Sequence, residues 1–333
     1  MDPVAQIAQA VLYEGYVLWP YRRSALKNRQ RWTFGGVHPA GWTRAGHDDD
    51  PSAMQTQCLV LGAGDATADV AVRFLHVVDR RVARLDAGGL QEVDELTVAG
   101  ERHLSWEEAT EREVTPGPLG LAELERRPRR TVVDVPEGES VEPLGGEGAI
   151  VRRWEPLAGA VEIGAEAAGD RVRRLTVRIE NTTPWPGGDR HAALRRTMVS
   201  THVVVRAATG AELVSLEDPP DGLRDAAQAC VNVGTWPVLV GEEGERHTIL
   251  SAPIILGDYP RVAPESPGDL FDGGEIDELL ILNVLGLTDA ERREARESDP
   301  RARELIDRCA GLSEDQLLRL HGTIRELRPE RRR

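Results

Sequence analysis

Lysine is almost missing from this chain of 333 residues: Lys27 is the only one among 41 basic side chains. The bias towards arginine runs through the whole sequence, so arginine abundance alone assigns no function. Cysteine is scarce too. Cys58, Cys230 and Cys309 are widely spaced and odd in number, which excludes a disulfide framework, and no Cys-x-x-Cys pair or Cys/His cluster marks a zinc site. A reducing cytoplasm is the expected location. Aromatic residues make up only 4% of the chain, so the core must rest on Val, Leu, Ile and Ala. No apolar run approaches the roughly 20 residues that a spanning helix needs, and the opening Met-Asp lacks the basic and apolar regions of a signal peptide. No membrane span is expected. His-Glu-x-x-His, Gly-x-Ser-x-Gly and phosphate-loop motifs are absent, and neither a metal nor another cofactor is expected.

What is present is concentrated near the front. The chain has 7 Trp, 4 Tyr and 3 Phe, and half of these rings precede residue 43: Tyr13, Tyr16, Trp19, Tyr21, Trp32, Phe34 and Trp42. Between Gly15 and Gly46 there is no Asp or Glu, yet Arg22, Arg23, Lys27, Arg29, Arg31 and Arg44 are there. In a chain of net charge -15 this is a local reversal of sign. The acidic remainder argues against a general nucleic-acid binder, which needs a broad positive surface. Trp19, Tyr21, Arg22, Arg23, Lys27, Arg29, Arg31 and Trp32 are the candidate partner- or anion-binding residues. They admit three readings. They contact phosphates while rings stack on bases, they dock an acidic partner through residue types enriched in binding hot spots, or the rings are core and the arginines pair with the protein's own carboxylates. Pro20 biases Trp19 towards extended backbone, so the segment reads as a β-arch with a basic tip.

Further along, 58–61 and 70–78 read as apolar strands, and 90–98 as a third. Residues 116–148, rich in Pro, Gly, Glu and Arg, read as a long irregular connection. Val161, Ile163 and Ala165 alternate with polar residues, as do Leu175, Val177 and Ile179; with the turn at 167–170 they predict a hairpin with one buried face. Residues 197–206 and 211–216 read as another pair, and 231–240 and 248–256 as two more strands. Past Pro264 the pattern turns helical, with capping boxes at Thr288/Glu291 and Ser313/Gln316. The expected fold is α+β, an antiparallel β-sandwich or barrel-like core with a helical C-terminal region. Three parts are expected: 1–150 with the basic-aromatic element and a small β region, 151–262 as the sandwich, and 263–333 as the helical region.

Weaker signals have plain explanations. Leu59-Val-Leu-Gly-Ala-Gly-Asp-Ala-Thr resembles the start of a dinucleotide fingerprint, but Thr67 replaces the third glycine and a strand follows where a helix is needed. Asp269, Asp272 and Glu275 offer oxygen ligands, but their spacing is not that of an EF-hand, and they read as acidic residues in the first turn of a helix, where its dipole favours them. His202 lies in an apolar strand and reads as a core histidine. Asn181 reads as a turn residue closing a strand.

Several blocks taken together carry a resemblance. They are Tyr13-Glu-Gly-Tyr-Val-Leu-Trp-Pro-Tyr-Arg-Arg-Ser-Ala-Leu-Lys-Asn with Arg31-Trp-Thr-Phe-Gly-Gly-Val, then Ile179-Glu-Asn-Thr-Thr-Pro-Trp, Asn232-Val-Gly-Thr-Trp-Pro-Val-Leu-Val-Gly, Pro253-Ile-Ile-Leu and Ala263-Pro-Glu-Ser-Pro-Gly-Asp-Leu-Phe-Asp-Gly, with Asp299-Pro-Arg-Ala and Leu320-His-Gly-Thr at the end. The chain resembles an uncharacterised protein family of actinobacteria and related bacteria encoded beside high-affinity uptake [NiFe]-hydrogenases. The resemblance implies a non-enzymatic accessory, assembly or scaffolding role, with a hydrogenase subunit or maturation factor as partner. It carries over no catalytic residue. Two alternatives stay open on the residues: an enzyme or binding protein for a small anionic ligand held by the N-terminal Arg/Lys cluster, and single-strand nucleic-acid binding through the same stretch.

Overall fold

The computed structural model describes residues 34–260, except 63, 64 and 209, together with 293, 303 and 307. The first half runs through α1 (Ala40–Arg44), β1 (Ala53–Gly62), β2 (Thr67–Asp86), β3 (Gly89–Val93), β4 (Glu95–Val98), β5 (Glu101–Leu104), β6 (Trp106–Val114), β7 (Leu119–Gly120), α2 (Leu121–Arg126), β8 (Arg129–Val135) and β9 (Gly138–Leu144). The second half continues with β10 (Gly148–Trp154), β11 (Leu157–Gly169), β12 (Val172–Asn181), α3 (Arg190–Leu194), β13 (Val199–Ala207), β14 (Ala211–Val214), α4 (Arg224–Gln228), β15 (Trp236–Leu239) and β16 (Thr248–Ala252).

These strands build two main antiparallel sheets and a small β4–β5 hairpin. The five-stranded sheet has the order β14-β1-β12-β11-β8, and the nine-stranded sheet the path β15-β16-β13-β2-β10-β9, with β3, β6 and β7 also on β2. Period-2 alternation sets the register. Met54, Cys58 and Val60 of β1 face the core opposite Ile179, Leu175 and Arg173 in the pairing, while Gln55 and Gln57 face out. Val203 and Val205 of β13 pair with Val72 and Val70 of β2. The inward side chains of both sheets, among them Val60, Phe74, Ile163, Val177, Leu213 and Ile249, form one buried core. Each such side chain contributes about 1.5–3 kcal/mol when fully buried. Slipping any one strand by a residue would turn its apolar set to solvent.

β2 is the spine. Its 20 residues would run roughly 65 Å at about 3.3 Å per residue, longer than any one neighbour can follow. One flank therefore takes β13 and then β10, and the other takes β7, β6 and β3 in turn.

Four expectations change here. Residues 197–206 and 211–216 do not pair with each other: β13 joins the nine-stranded sheet and β14 pairs with β1 in the other, so the chain crosses between sheets at 208–210. Residues 116–148 are not an irregular connection but hold β7, α2, β8 and β9. The sheets stay open, so the barrel-like alternative fails; among the described residues β14 and β8 are the end strands of one path and β15 and β9 of the other. Strands from either side of residue 150 are interleaved in both sheets, and that residue lies inside β10. The helical region expected over 263–333 lies outside the described residues apart from 293, 303 and 307. Among the described residues no helix is long and apolar enough to cross a membrane.

Candidate functional site

Trp19, Tyr21, Arg22, Arg23, Lys27, Arg29, Arg31 and Trp32 all lie outside the described residues. The structure does describe where their stretch leads. The Phe34 and Gly35 carbonyls accept hydrogen bonds from Ser200 and Thr201 N–H (3.2 and 3.0 Å), and Val37 exchanges both backbone bonds with Met198 (2.9 and 3.1 Å). Gly35 has φ +58, and a Cβ there would collide with Pro253, so only glycine fits. The chain is thereby stitched to the start of β13. Trp42 is a structural ring. It is buried, stacks on His47 at 3.4 Å, meets Trp185 edge-on at 5.5 Å and donates its indole N–H to Asp50 (2.9 Å). Asp50 also accepts from Arg190 (2.6 Å). Burial opposes its ionisation, yet the Trp42 and Arg190 hydrogen bonds hold its carboxyl below the usual range.

Three large apolar side chains emerge near that junction. Phe34 is 53% exposed, Trp236 43% and Ile255 78%. Gly35 presses on Pro253 and Trp236 pairs with Ala252, so all three leave the backbone around the end of β16. The edge of β15 beside them is blunted. Pro237 has no N–H to offer, the Leu239 N–H donates to the Asp258 carboxylate (2.7 Å), and the Leu239 carbonyl accepts from Tyr259 N–H (2.7 Å).

Behind Trp236 runs a buried hydroxyl chain that ties the two sheets together. Ser251 of β16 donates to Thr56 of β1 (2.8 Å), and Thr56 donates to the Asn232 side-chain carbonyl (3.1 Å). Ser251 has one proton, so in its 2.8 Å contact with Thr235 the threonine is the donor. Asn232 also accepts from Gln57 N–H (2.7 Å), and Val233 forms a β-bridge with Gln55. The Asn232–Gly241 block is thus held by polar contacts that span both sheets.

A second feature was not singled out from the sequence. A cleft of ≈ 390 Å³ opens where Val77 and Asp79 of β2 meet Arg153 and Trp154 of β10, Glu155 beyond it, Arg195 after α3, and Glu137, Gly138 and Glu139 at the start of β9. Its charges are arranged by register: Glu107, Asp79, Arg153 and Glu139 lie in line across β6, β2, β10 and β9. Arg153 pairs with Glu92 and, through Nε, with Glu139 (2.6 Å). Arg195 Nε meets Glu107 (2.9 Å) and its Nη2 lies 3.8 Å from Asp79. Asp79 is also paired with Arg81 (2.9 Å), and Glu155 with Arg196 (2.7 Å). The His191 ring contacts Glu107 at 2.9 Å, and this hydrogen bond raises its pKa. The Trp154 indole donates to the Pro136 carbonyl (3.0 Å), and its ring lies so close over Gly138 that any Cβ there would collide with it.

Beneath this region His76 is fully buried with neither ring nitrogen in a hydrogen bond, although both face the backbone of Glu155 and Arg195. Burial lowers its pKa to about 4. His202 is likewise buried and shifted to about 4; its Nδ1 faces the Ser200 carbonyl at 3.1 Å, but Nε2 has no partner, so it is a core histidine only half satisfied. Burial pushes the Cys58 thiol up to about 12, an inert core group. Asn181 closes β12 as its sequence context implies, donating to the Val37 and Arg196 carbonyls (both 2.8 Å). Asp269, Asp272 and Glu275 lie outside the described residues, and among the described residues no group of three His, Cys, Asp or Glu is placed to hold a metal ion. No protein-family model and no curated protein matches the chain.

Proposed function

We propose that this chain is a non-enzymatic, cytoplasmic accessory protein of a [NiFe]-hydrogenase that docks on a hydrogenase subunit or maturation factor. The observation that carries the proposal is that three resemblance blocks come together around the end of β16 and each exposes a large apolar side chain. Phe34 lies in the Arg31–Val37 block, Trp236 in the Asn232–Gly241 block, and Ile255 in Pro253-Ile-Ile-Leu. Exposed apolar side chains grouped in this way are the usual mark of an interaction surface, and Trp is the side chain most enriched at binding hot spots. Because the β15 edge is blunted, docking proceeds through side chains and not by strand addition. In the proposal the basic-aromatic residues from Trp19 to Trp32, which precede Phe34 in sequence, meet an acidic partner, and the C-terminal region over 263–333 is helical.

The test is affinity purification of the tagged chain from its native host while the hydrogenase is expressed. A hydrogenase subunit or maturation factor is expected to co-purify, and its recovery to fall at least tenfold with the Trp236→Ala/Ile255→Ser variant at unchanged melting temperature. Recovery of neither component from expressing cells would sink the proposal.

A further inference from the structure

We infer that the Trp154 cleft is a binding site for an organic cation, an alkylguanidinium or alkylammonium group. Four carboxylates, Asp79, Glu137, Glu139 and Glu155, line it against two guanidinium groups, Arg153 and Arg195, which leaves two negative charges. Widening the count to the ion-pair partners adds Glu92 and Glu107 but also Arg81 and Arg196, so the balance stays the same. Both cleft arginines are already occupied. Each is met by two carboxylates, so the positive charge that would draw an anionic ligand is already matched. Glu137 is the opposite case, for among the described residues it pairs with no cation.

The aromatic wall favours the same charge. An indole face is the best side-chain partner for a cation. Trp154 is pre-positioned by its bond to Pro136 and by its packing on Gly138. Glu137 and Glu139 flank that glycine in sequence and line the same cleft as Trp154. An aromatic lining residue, a carboxylate that pairs with no cation among the described residues and a net negative rim give the cleft the chemistry that receives a positive head group. A free small amine and an arginine side chain of another protein share this chemistry.

The test follows the Trp154 indole N–H signal by NMR, assigned through its loss in Trp154→Phe, with the other six indoles as internal controls. The intact chain is titrated with agmatine and, separately, with a blocked Gly-Arg-Gly tripeptide, against sodium chloride and sodium phosphate at matched ionic strength. A saturable shift of this indole signal with at least one cation is expected, weakened about fivefold or more in Glu137→Gln at unchanged melting temperature. Tighter binding of the tripeptide assigns the site to a protein side chain, and tighter or equal binding of agmatine to a free amine. An unmoved signal, an equal shift with sodium chloride or phosphate, or equal affinity in Glu137→Gln overturns the assignment.

Discussion

Two buried histidines, His76 and His202, give the protein a built-in response to acid. Both are held near pKa 4, chiefly by burial, with the Arg112 charge adding to the effect at His76; at His202 the Arg73 charge lowers the pKa while the Ser200 carbonyl and Glu111 oppose it. Their folded pKa lies below the ordinary value of 6.5, so the folded state binds fewer protons than the unfolded chain. The stability they confer is fully present above pH 6.5 and is lost as pH falls towards 4, on the order of 3 kcal/mol for each. His191 runs the other way: its pKa is raised by Glu107, so its contribution is present at low pH and disappears as pH rises, but it is too exposed for the effect to be large. Urea unfolding at pH 7 and pH 4.5 should therefore show a steep fall in stability. The variant His76→Leu/His202→Leu should lose at least half of that fall, because leucine leaves no ring to protonate. An equal fall in the variant would assign the acid response to other groups.

At the scale of elements, the Thr235–Ser251–Thr56–Asn232 chain is the polar joint between the sheets. Ser251 is its middle member and is fully buried. Ser251→Ala removes two bonds at once and strands the Thr235 hydroxyl without an acceptor, so about 2 kcal/mol of stability should be lost. Thr56→Val/Thr235→Val/Ser251→Ala, which removes every hydroxyl, should cost less than the three single changes added together. Denaturant midpoints measure both; a Ser251→Ala shift below about 0.5 kcal/mol would mean that water already serves these groups. The joint could not be read from sequence, where Thr56, Asn232, Thr235 and Ser251 are single polar residues in apolar surroundings. The β11–β12 hairpin could, because its alternation is clean and its turn is local. β8 and β9 could not: they are edge strands with polar residues on both faces, so they lack the alternation that marks a strand. The pairing expected between β13 and β14 fails for the converse reason. Every residue from Val199 to Val205 is buried, so no polar face shows which sheet the strand joins. The cleft was hidden because its lining comes from distant segments, and only Trp154, a ring among Arg152, Arg153 and Glu155, hinted at it.

At the scale of the whole molecule, the two sheets should unfold as one cooperative unit, because the first half of the chain supplies the middle of each. β1 separates β12 from β14, and β2 separates β13 from β10. Residues 151–262 expressed alone would keep the β11–β12 and β15–β16 pairs, but β12 and β13 would each lose the neighbour on one side. The core would also lose Met54, Cys58, Val60, Val70, Val72 and Phe74. At about 1.5–3 kcal/mol for each large apolar side chain, that loss matches or exceeds the roughly 5–15 kcal/mol net stability of a typical domain. The fragment should therefore show collapsed amide dispersion and no cooperative urea transition, while residues 34–260 unfold in a single one. Adding residues 34–150 in trans should restore dispersion by returning β1 and β2 to their gaps. A fragment 151–262 that melts cooperatively by itself would mean that its strands pair without β1 and β2, and that each sheet holds together without the central strand this fold assigns to it.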